Sequence, residues 1–429
     1  MSQQKQGGNI VAIIMMIFLF GMIAFVTNLA APMGVVLKNQ FGVSNVMGML
    51  GNMGNFIAYA VMGVPAGILL QRFGYKKTAL IAIAFGFVGV FIQFLSGHAA
   101  SFGVYLTGAF VAGFSMCLLN TVVNPMLNTL GGGGNKGNQL IQVGGSFNSV
   151  LATFTPAFVG ILIGEAAKAQ ITDVFPVMYI AMGIFALAFF VMCIVSIPEP
   201  HAERSSEPIG SLMSGAIKFR HFVLGAVGIF VYVGVEVGTP ATLNLWLSDA
   251  SVSDVGATTA GFVAGTYWFL MLIGRLFGAS IGSKVSSKTM LTVASLVGMI
   301  LVFMAIVFPT TVQIALPVMQ NSEAGALSFG LAQVPINAMF LVLVGLCTSI
   351  MWGGIYNLAV EGLGKYLAAA SGLFMVMVCG GGILPGIQAL VADLAGYKIS
   401  YWVMFAGLTY LFYYALIGSK NVNKDISVE

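Results

Sequence analysis

Two ionisable side chains stand deep inside apolar stretches of this chain: Glu236, in Phe230–Thr239 (FVYVGVEVGT), and Arg275, in Met271–Gly278 (MLIGRLFG). The other twelve acids fall in loops, at segment ends or at the termini. A charge at membrane depth faces a cavity or a partner, because burying it in lipid costs about 2.5–3.5 kcal/mol on insertion scales. Glu236 can bind and release a proton, or stay charged beside Na+. Arg275 can neutralise it, or snorkel toward the nearer membrane face; a static ion pair between the two is the structural alternative. Around them lies a set of neutral donors and acceptors. Asn120, Asn124 and Asn128 recur at i, i+4 and i+8, one face of a helix. Gln142, Ser146 and Asn148 follow on the next segment, Tyr232, Thr239 and Asn244 flank Glu236, and Tyr267 and Trp268 precede Arg275. Trp352, Tyr356, Asn357 and Gln388 come later, and Thr27 and Asn28 open the series. Many amides and little charge suit a neutral, hydroxylated ligand and disfavour an anionic or strongly cationic one. Each amide also has a bland reading, a helix–helix hydrogen bond contributing about 0.6 kcal/mol. Asn124, beside Pro125, is expected to be structural, and Tyr267 and Tyr356, more often core than ligand, rank second as contacts.

No catalytic grouping is visible. His98, His201 and His221 sit in loops or at a helix edge, with no Ser, Cys or acid at motif spacing. Gly131–Asn138 (GGGGNKGN) lacks the preceding strand and the GK[ST] ending of a phosphate loop. Cys117, Cys193, Cys347 and Cys379 all lie in apolar runs without CxxC spacing, so they read as small hydrophobes, neither disulfides nor metal ligands. The chain is therefore expected to be no enzyme and to need no cofactor or metal.

The elements that hold these residues follow from composition. Of 429 residues, 59% are apolar and 7% charged, and the mean hydropathy is +0.98. A soluble domain carries about 25% charged residues, so a soluble enzyme, a nucleic-acid binder and a disordered chain are excluded. A crossing helix needs about 20 apolar residues. Twelve such runs occur, near 9–37, 45–70, 78–97, 101–129, 138–165, 173–197, 221–247, 258–282, 289–309, 332–358, 367–394 and 398–418. The first follows a polar leader, Met1–Asn9, is too long for a signal segment, and is read as a retained helix. If both termini are cytoplasmic, thirteen of the seventeen Lys and Arg lie inside, while Lys38, Lys168 and Lys398 lie outside. That asymmetry predicts a multi-pass protein with both termini in the cytoplasm. The charged, proline-bearing stretch after the sixth run divides the chain into an N-terminal six-helix bundle (1–197), a cytoplasmic linker (198–220) and a C-terminal six-helix bundle (221–429). The halves echo each other at an offset of 211, where Gly63, Gly67, Lys77 and Thr78 coincide with Gly274, Gly278, Lys288 and Thr289. Two parallel six-helix halves imply alternating access to a site at the midplane. Gly131–Gly134 and Gly380–Gly382 are candidate hinges, and the outer stretch 310–333 has no assigned role.

Gly67–Lys77 (GILLQRFGYKK) resembles the loop signature of the major facilitator superfamily, with Gln71 where an acid is usual. Asn120–Gly131 (NTVVNPMLNTLG), Gly144–Val150 (GGSFNSV), Phe230–Thr239, Met271–Gly278, Ser349–Lys365 (SIMWGGIYNLAVEGLGK) and Ser371–Asp393 together resemble the fucose permease and glucose/galactose transporter family of bacterial sugar symporters. The resemblance runs in order from Thr27–Met33 (TNLAAPM) almost to the end. It implies a twelve-helix major facilitator fold in a bacterial inner membrane, a monomer in the lipid bilayer, and import of a neutral hexose coupled to H+ or Na+. The substrate-binding set it implies is Asn28, Asn120, Gln142, Asn148, Glu236, Arg275, Trp352, Tyr356 and Asn357, with Trp352 stacking on the sugar. Asn28 and Asn120 stand where the fucose permease carries acids of its proton cycle, and neither ionises, so ion coupling falls to Glu236. An uncoupled facilitator, an exporter of apolar drugs and a membrane sensor are the rival readings. The amide stripe weighs against the exporter, and the absence of any sizeable soluble segment weighs against the sensor.

Overall fold

The computed structural model describes residues 10–27, 45–163, 171–199, 208–249, 251, 253, 255–321, 327–423 and 425–428. Helix α1 spans Ile10–Thr27, so Asn28 lies outside the described residues. Helix α2 runs Asn45–Ala99, 55 residues. Straight, it would reach about 80 Å, twice a bilayer and more. Gly74, at φ 78°, breaks it into two crossings. The left-handed backbone there suits only glycine, and an added Cβ would meet the Glu199 carboxylate. That carboxylate accepts from the Tyr75 and Lys76 amides at 2.8 and 3.1 Å, capping the second crossing. Lys76 Nζ donates to the carbonyls of Cys193 and Val195, fastening the turn to the end of α5. Gln71, at the position usually acidic, is half-buried, with its Oε1 enclosed and unpaired among the described residues.

Helices α3 (Phe102–Leu130) and α4 (Gly134–Ile163) are joined by a turn with positive φ at Gly132, Gly133 and Gly134. Helices α5 (Phe175–Ile194) and α6 (Ile209–Ile217) follow, the latter a short helix within the stretch expected to be a plain linker. Then come α7 (Arg220–Ser248), α8 (Ala257–Ile281) and α9 (Ser287–Val307). Helices α10 (Ile336–Thr348) and α11 (Met351–Val360) form one broken crossing, as do α12 (Leu367–Val376) and α13 (Gly380–Ala395). Helix α14 (Tyr397–Tyr413) ends the bundle. Ten helical stretches among the described residues are long and apolar enough to cross a membrane. With α2 counted as two and α4 added, the chain makes the twelve expected crossings. Helix α4 carries Gln139, Gln142, Asn148 and Ser149, whose side chains bond to neighbouring helices.

Two expectations change. The tenth run does not begin as helix at 332. Residues Gln313–Asn321 (β1) and Leu327–Pro335 (β2) pair as an antiparallel hairpin in register Gln313↔Pro335. Its alternation is of period two: Leu316, Val318, Ala332 and Val334 are buried, while Pro317 and Leu331 are exposed. The Met319 amide donates to Thr266 Oγ1 and Phe329 packs edge-on against Phe269, so the hairpin lies against α8. The same run is also broken at Ser349–Ile350, which frees the Ser349 carbonyl for Arg275 Nε.

Helix α2 packs against α12, and α4 against α8, so the halves meet along two seams. Three of the four repeated glycines fall on these seams, while Gly274 packs on Ser349 and Leu346 of its own half. Gly63 and Gly67 lie against Gly372, and Gly278 lies against Ile350 and Gln142. The start of α7, the α11–α12 connection and the C-terminal tail lie together, through Arg220 N–Asn423 Oδ1 and Lys365 N–Val428 O. This end, which carries most Lys and Arg, is called the basic end below.

Candidate functional site

Between the halves the polar side chains form three tiers, from mid-bundle to the basic end. The top tier is ionic. Glu236 Oε1 accepts from Tyr232 Oη at 2.8 Å and from Arg275 Nη2 at 3.2 Å. Glu236 Oε2 has no partner among the described residues, and the two charged side chains are only 13% and 11% exposed. Tyr232 and Glu236 meet because they stand one helical turn apart on α7. Arg275 also reaches into the other half, where Nη1 donates to the Gly145 carbonyl (3.1 Å), Asn148 Oδ1 (3.2 Å) and Ser149 Oγ (2.8 Å) of α4. Asn148 Nδ2 in turn holds the Phe20 carbonyl of α1 at 2.8 Å. One guanidinium thus bridges both halves and balances the single buried carboxylate beside it.

The middle tier is neutral. Asn120 Nδ2 donates to Tyr59 Oη at 2.6 Å. Asn124 Nδ2 donates to the Asn120 carbonyl and its Oδ1 at 2.9 and 3.2 Å. Asn124 Oδ1 accepts from Trp352 Nε1 at 2.9 Å, across the halves. The half-buried Trp352 ring stands edge-on to Tyr232 and Phe374, at centroid separations of 6.2 and 6.4 Å. The aromatic wall therefore touches the ionic tier through Tyr232.

The lowest tier closes the basic end. Gln142 Nε2 donates to the Ile350 carbonyl at 2.8 Å and Gln139 Nε2 to the Ala279 carbonyl at 3.0 Å. Asn128 Nδ2 donates to Asn357 Oδ1 at 2.6 Å, and Asn357 Nδ2 to Ser287 Oγ at 2.9 Å. Every bond in this tier is neutral.

Of the residues singled out in the sequence, Asn120, Asn148, Glu236, Arg275 and Trp352 gather in the upper two tiers. Gln142 and Asn357 sit in the closing tier, bonded to the opposite half. Tyr356 is fully buried, bonded to Ser371 Oγ and edge-on to Phe374, behind the Trp352 wall. Asn124 joins the halves as well as bracing α3. Tyr59 was not singled out. Its one signal is position, one turn from Gly63 on the face of α2 that meets the other half. Gln388 is buried beside Gly238 of α7, with both amide atoms unpaired among the described residues. No group of three or more His, Cys, Asp and Glu that could hold a metal occurs among the described residues.

Residues 13–385 match the family model of the Major Facilitator Superfamily. A glucose/galactose transporter of Brucella abortus is 29% identical over 425 residues, covering 98% of this chain and 96% of its own length. The L-fucose-proton symporter of Escherichia coli is 22% identical over 406 residues, covering 88% of this chain and 86% of its own. Among solved structures, the fucose transporter FucP in an outward conformation superposes with TM-score 0.79 at 18% identity, covering 96% of this chain and all of that one. A proton:xylose symporter superposes with TM-score 0.70 at 13% identity, covering 96% of this chain and 98% of its own length.

Proposed function

This chain belongs to the major facilitator superfamily, and from that footing we propose that it imports a neutral hexose by alternating access, coupled to a cation at Glu236. The observation that carries the reading is the middle tier: amide groups from one half and an indole from the other converge under a carboxylate with one open oxygen. A pyranose offers hydroxyls to Asn120, Asn148 and Glu236 Oε2 and an apolar C–H face to Trp352, which suits a ring edge-packed on both sides. The names of the Brucella abortus and Escherichia coli relatives agree with a sugar.

In this proposal the basic end faces the cytoplasm of a bacterial inner membrane and both termini lie there. The closed lowest tier then makes this the outward-facing state of a monomer, with residues 1–197 and 221–429 as the moving halves. The coupling ion is H+ or Na+. The familiar acids of the fucose branch are replaced by Asn28 and Asn120, so Glu236 is the remaining candidate, and Arg275 holds it when no ion is bound.

Counterflow in proteoliposomes tests the substrate. Vesicles preloaded with D-glucose or D-galactose are expected to take up the labelled sugar transiently above equilibrium, and Asn120→Ala is expected to lower the initial rate about tenfold, the size of one substrate hydrogen bond lost from a buried site. No overshoot with any hexose would contradict the reading.

A further inference from the structure

The Asn120/Asn124/Asn128 stripe divides its bonds unequally. Asn120 bonds within its own half, to Tyr59, while Asn124 and Asn128 bond across, to Trp352 and Asn357. On α11 the partners Trp352 and Asn357 are five residues apart, and on α3 Asn124 and Asn128 are four apart. The two cross-bonds therefore stack, one turn above the other, along the line where the halves meet. The Trp352 bond is the upper one, next to Asn120 and beneath Tyr232 and Glu236, and Trp352 keeps part of its ring exposed. The Asn357 bond is the lower one, sealed beside Ser287.

We propose that the Asn124–Trp352 hydrogen bond is the latch of the closed basic end, and that substrate opens the transporter by taking it over. This rests on the sugar reading above. The exchange conserves hydrogen bonds. Trp352 Nε1 can only donate and Asn124 Oδ1 can only accept, while a hydroxyl does both. One hydroxyl accepting from the indole and one donating to the amide replace the direct bond, leaving neither buried group unpaired. Water at the same place would do so without the C–H face that packs on the indole. Once the upper bond is taken over, the closure rests on the lower amide pairs, the Arg275 bridge and the packed helix seams. Trp352 is thus a positioning residue as well as a contact. Because the closing tier is neutral, this trigger is not a charge effect, and it is separate from any ion event at Glu236.

The test places spin labels at Lys136→Cys and Lys288→Cys, exposed positions in opposite halves at the basic end, in a Cys193→Ser background, and measures their distance distribution in nanodiscs. In the wild-type background, D-glucose or D-galactose is expected to populate a longer distance. Trp352→Phe keeps the ring and loses the donor. It is expected to raise the longer-distance fraction about fivefold without any sugar, the factor carried by one net hydrogen bond, and to blunt the sugar response. Asn124→Val removes the same bond from the other half and is expected to have the same effect, with the double variant no further shifted. A Trp352→Phe protein that stays closed without sugar and opens normally with it would overturn the latch, as would additive effects of the two changes. A wild-type background indifferent to both sugars, with Trp352→Phe open, would overturn the sugar trigger and locate the failure in the substrate reading.

Discussion

Glu236→Gln is expected to destabilise the folded protein by about 3–5 kcal/mol, the usual cost of stripping a buried charge of its partner. Arg275→Gln is expected to cost a similar amount, and the double variant less than either. The guanidinium is 11% exposed, and Glu236 is its one anionic partner among the described residues. Its remaining bonds are to neutral oxygens of Gly145, Asn148, Ser149 and Ser349. Those oxygens orient the charge without balancing it. A carboxylate left alone can discharge by binding a proton, whereas a guanidinium cannot. The Arg275→Gln defect is therefore expected to shrink as pH falls, and the Glu236→Gln defect to persist. Thermal unfolding of the three variants across a pH series measures both. Equal, additive losses at all pH values would mean that the two residues do not share their charge balance.

Gly372→Ala is expected to hold the basic end open. Gly372 of α12 lies so close to α2 that an added Cβ would sit 2.6 Å from both the Gly63 carbonyl oxygen and the Gly67 Cα. Both obstacles are backbone, which cannot rotate away as a side chain can, so the helices must part. Overpacking of this kind costs about 1–3 kcal/mol. Applied to the closed state alone, it changes the open-to-closed ratio about 5- to 150-fold. The variant is expected to show the longer distance between the Lys136 and Lys288 positions without sugar, and to transport poorly because it cannot reseal. An unshifted distribution would show that this seam does not form part of the closure.

Much of this was legible in the residues. Twelve crossings follow from apolar run lengths, and the halves follow from the repeated glycines, three of which lie where the halves meet. Glu236 and Arg275 stand out because charge is scarce where they lie, and they do pair. What escaped was set by tertiary geometry. An amide in a membrane helix has the same chemistry whether it meets a sugar or the opposite half, so Gln142, Asn357 and Asn124 could not be sorted by type. Tyr356 stands one turn from Trp352 on the same helix, and only its burial against Ser371 and Phe374 makes it packing rather than lining. Tyr59 carries no mark beyond its helix face. The hairpin at 313–335 was hidden because its strands are as apolar as the helices beside it, and only its period of two distinguishes it.

The most direct test of the central claim is sugar uptake into proteoliposomes with a proton gradient or a sodium gradient imposed separately, for the wild-type chain and for Glu236→Gln. The account predicts that one of the two gradients drives accumulation of D-glucose or D-galactose above its external concentration, and that Glu236→Gln abolishes accumulation while the folded fraction retains exchange at a reduced rate. Uptake that ignores both gradients and is unchanged in Glu236→Gln would contradict it, leaving an uncoupled facilitator in which Glu236 and Arg275 only brace the helices.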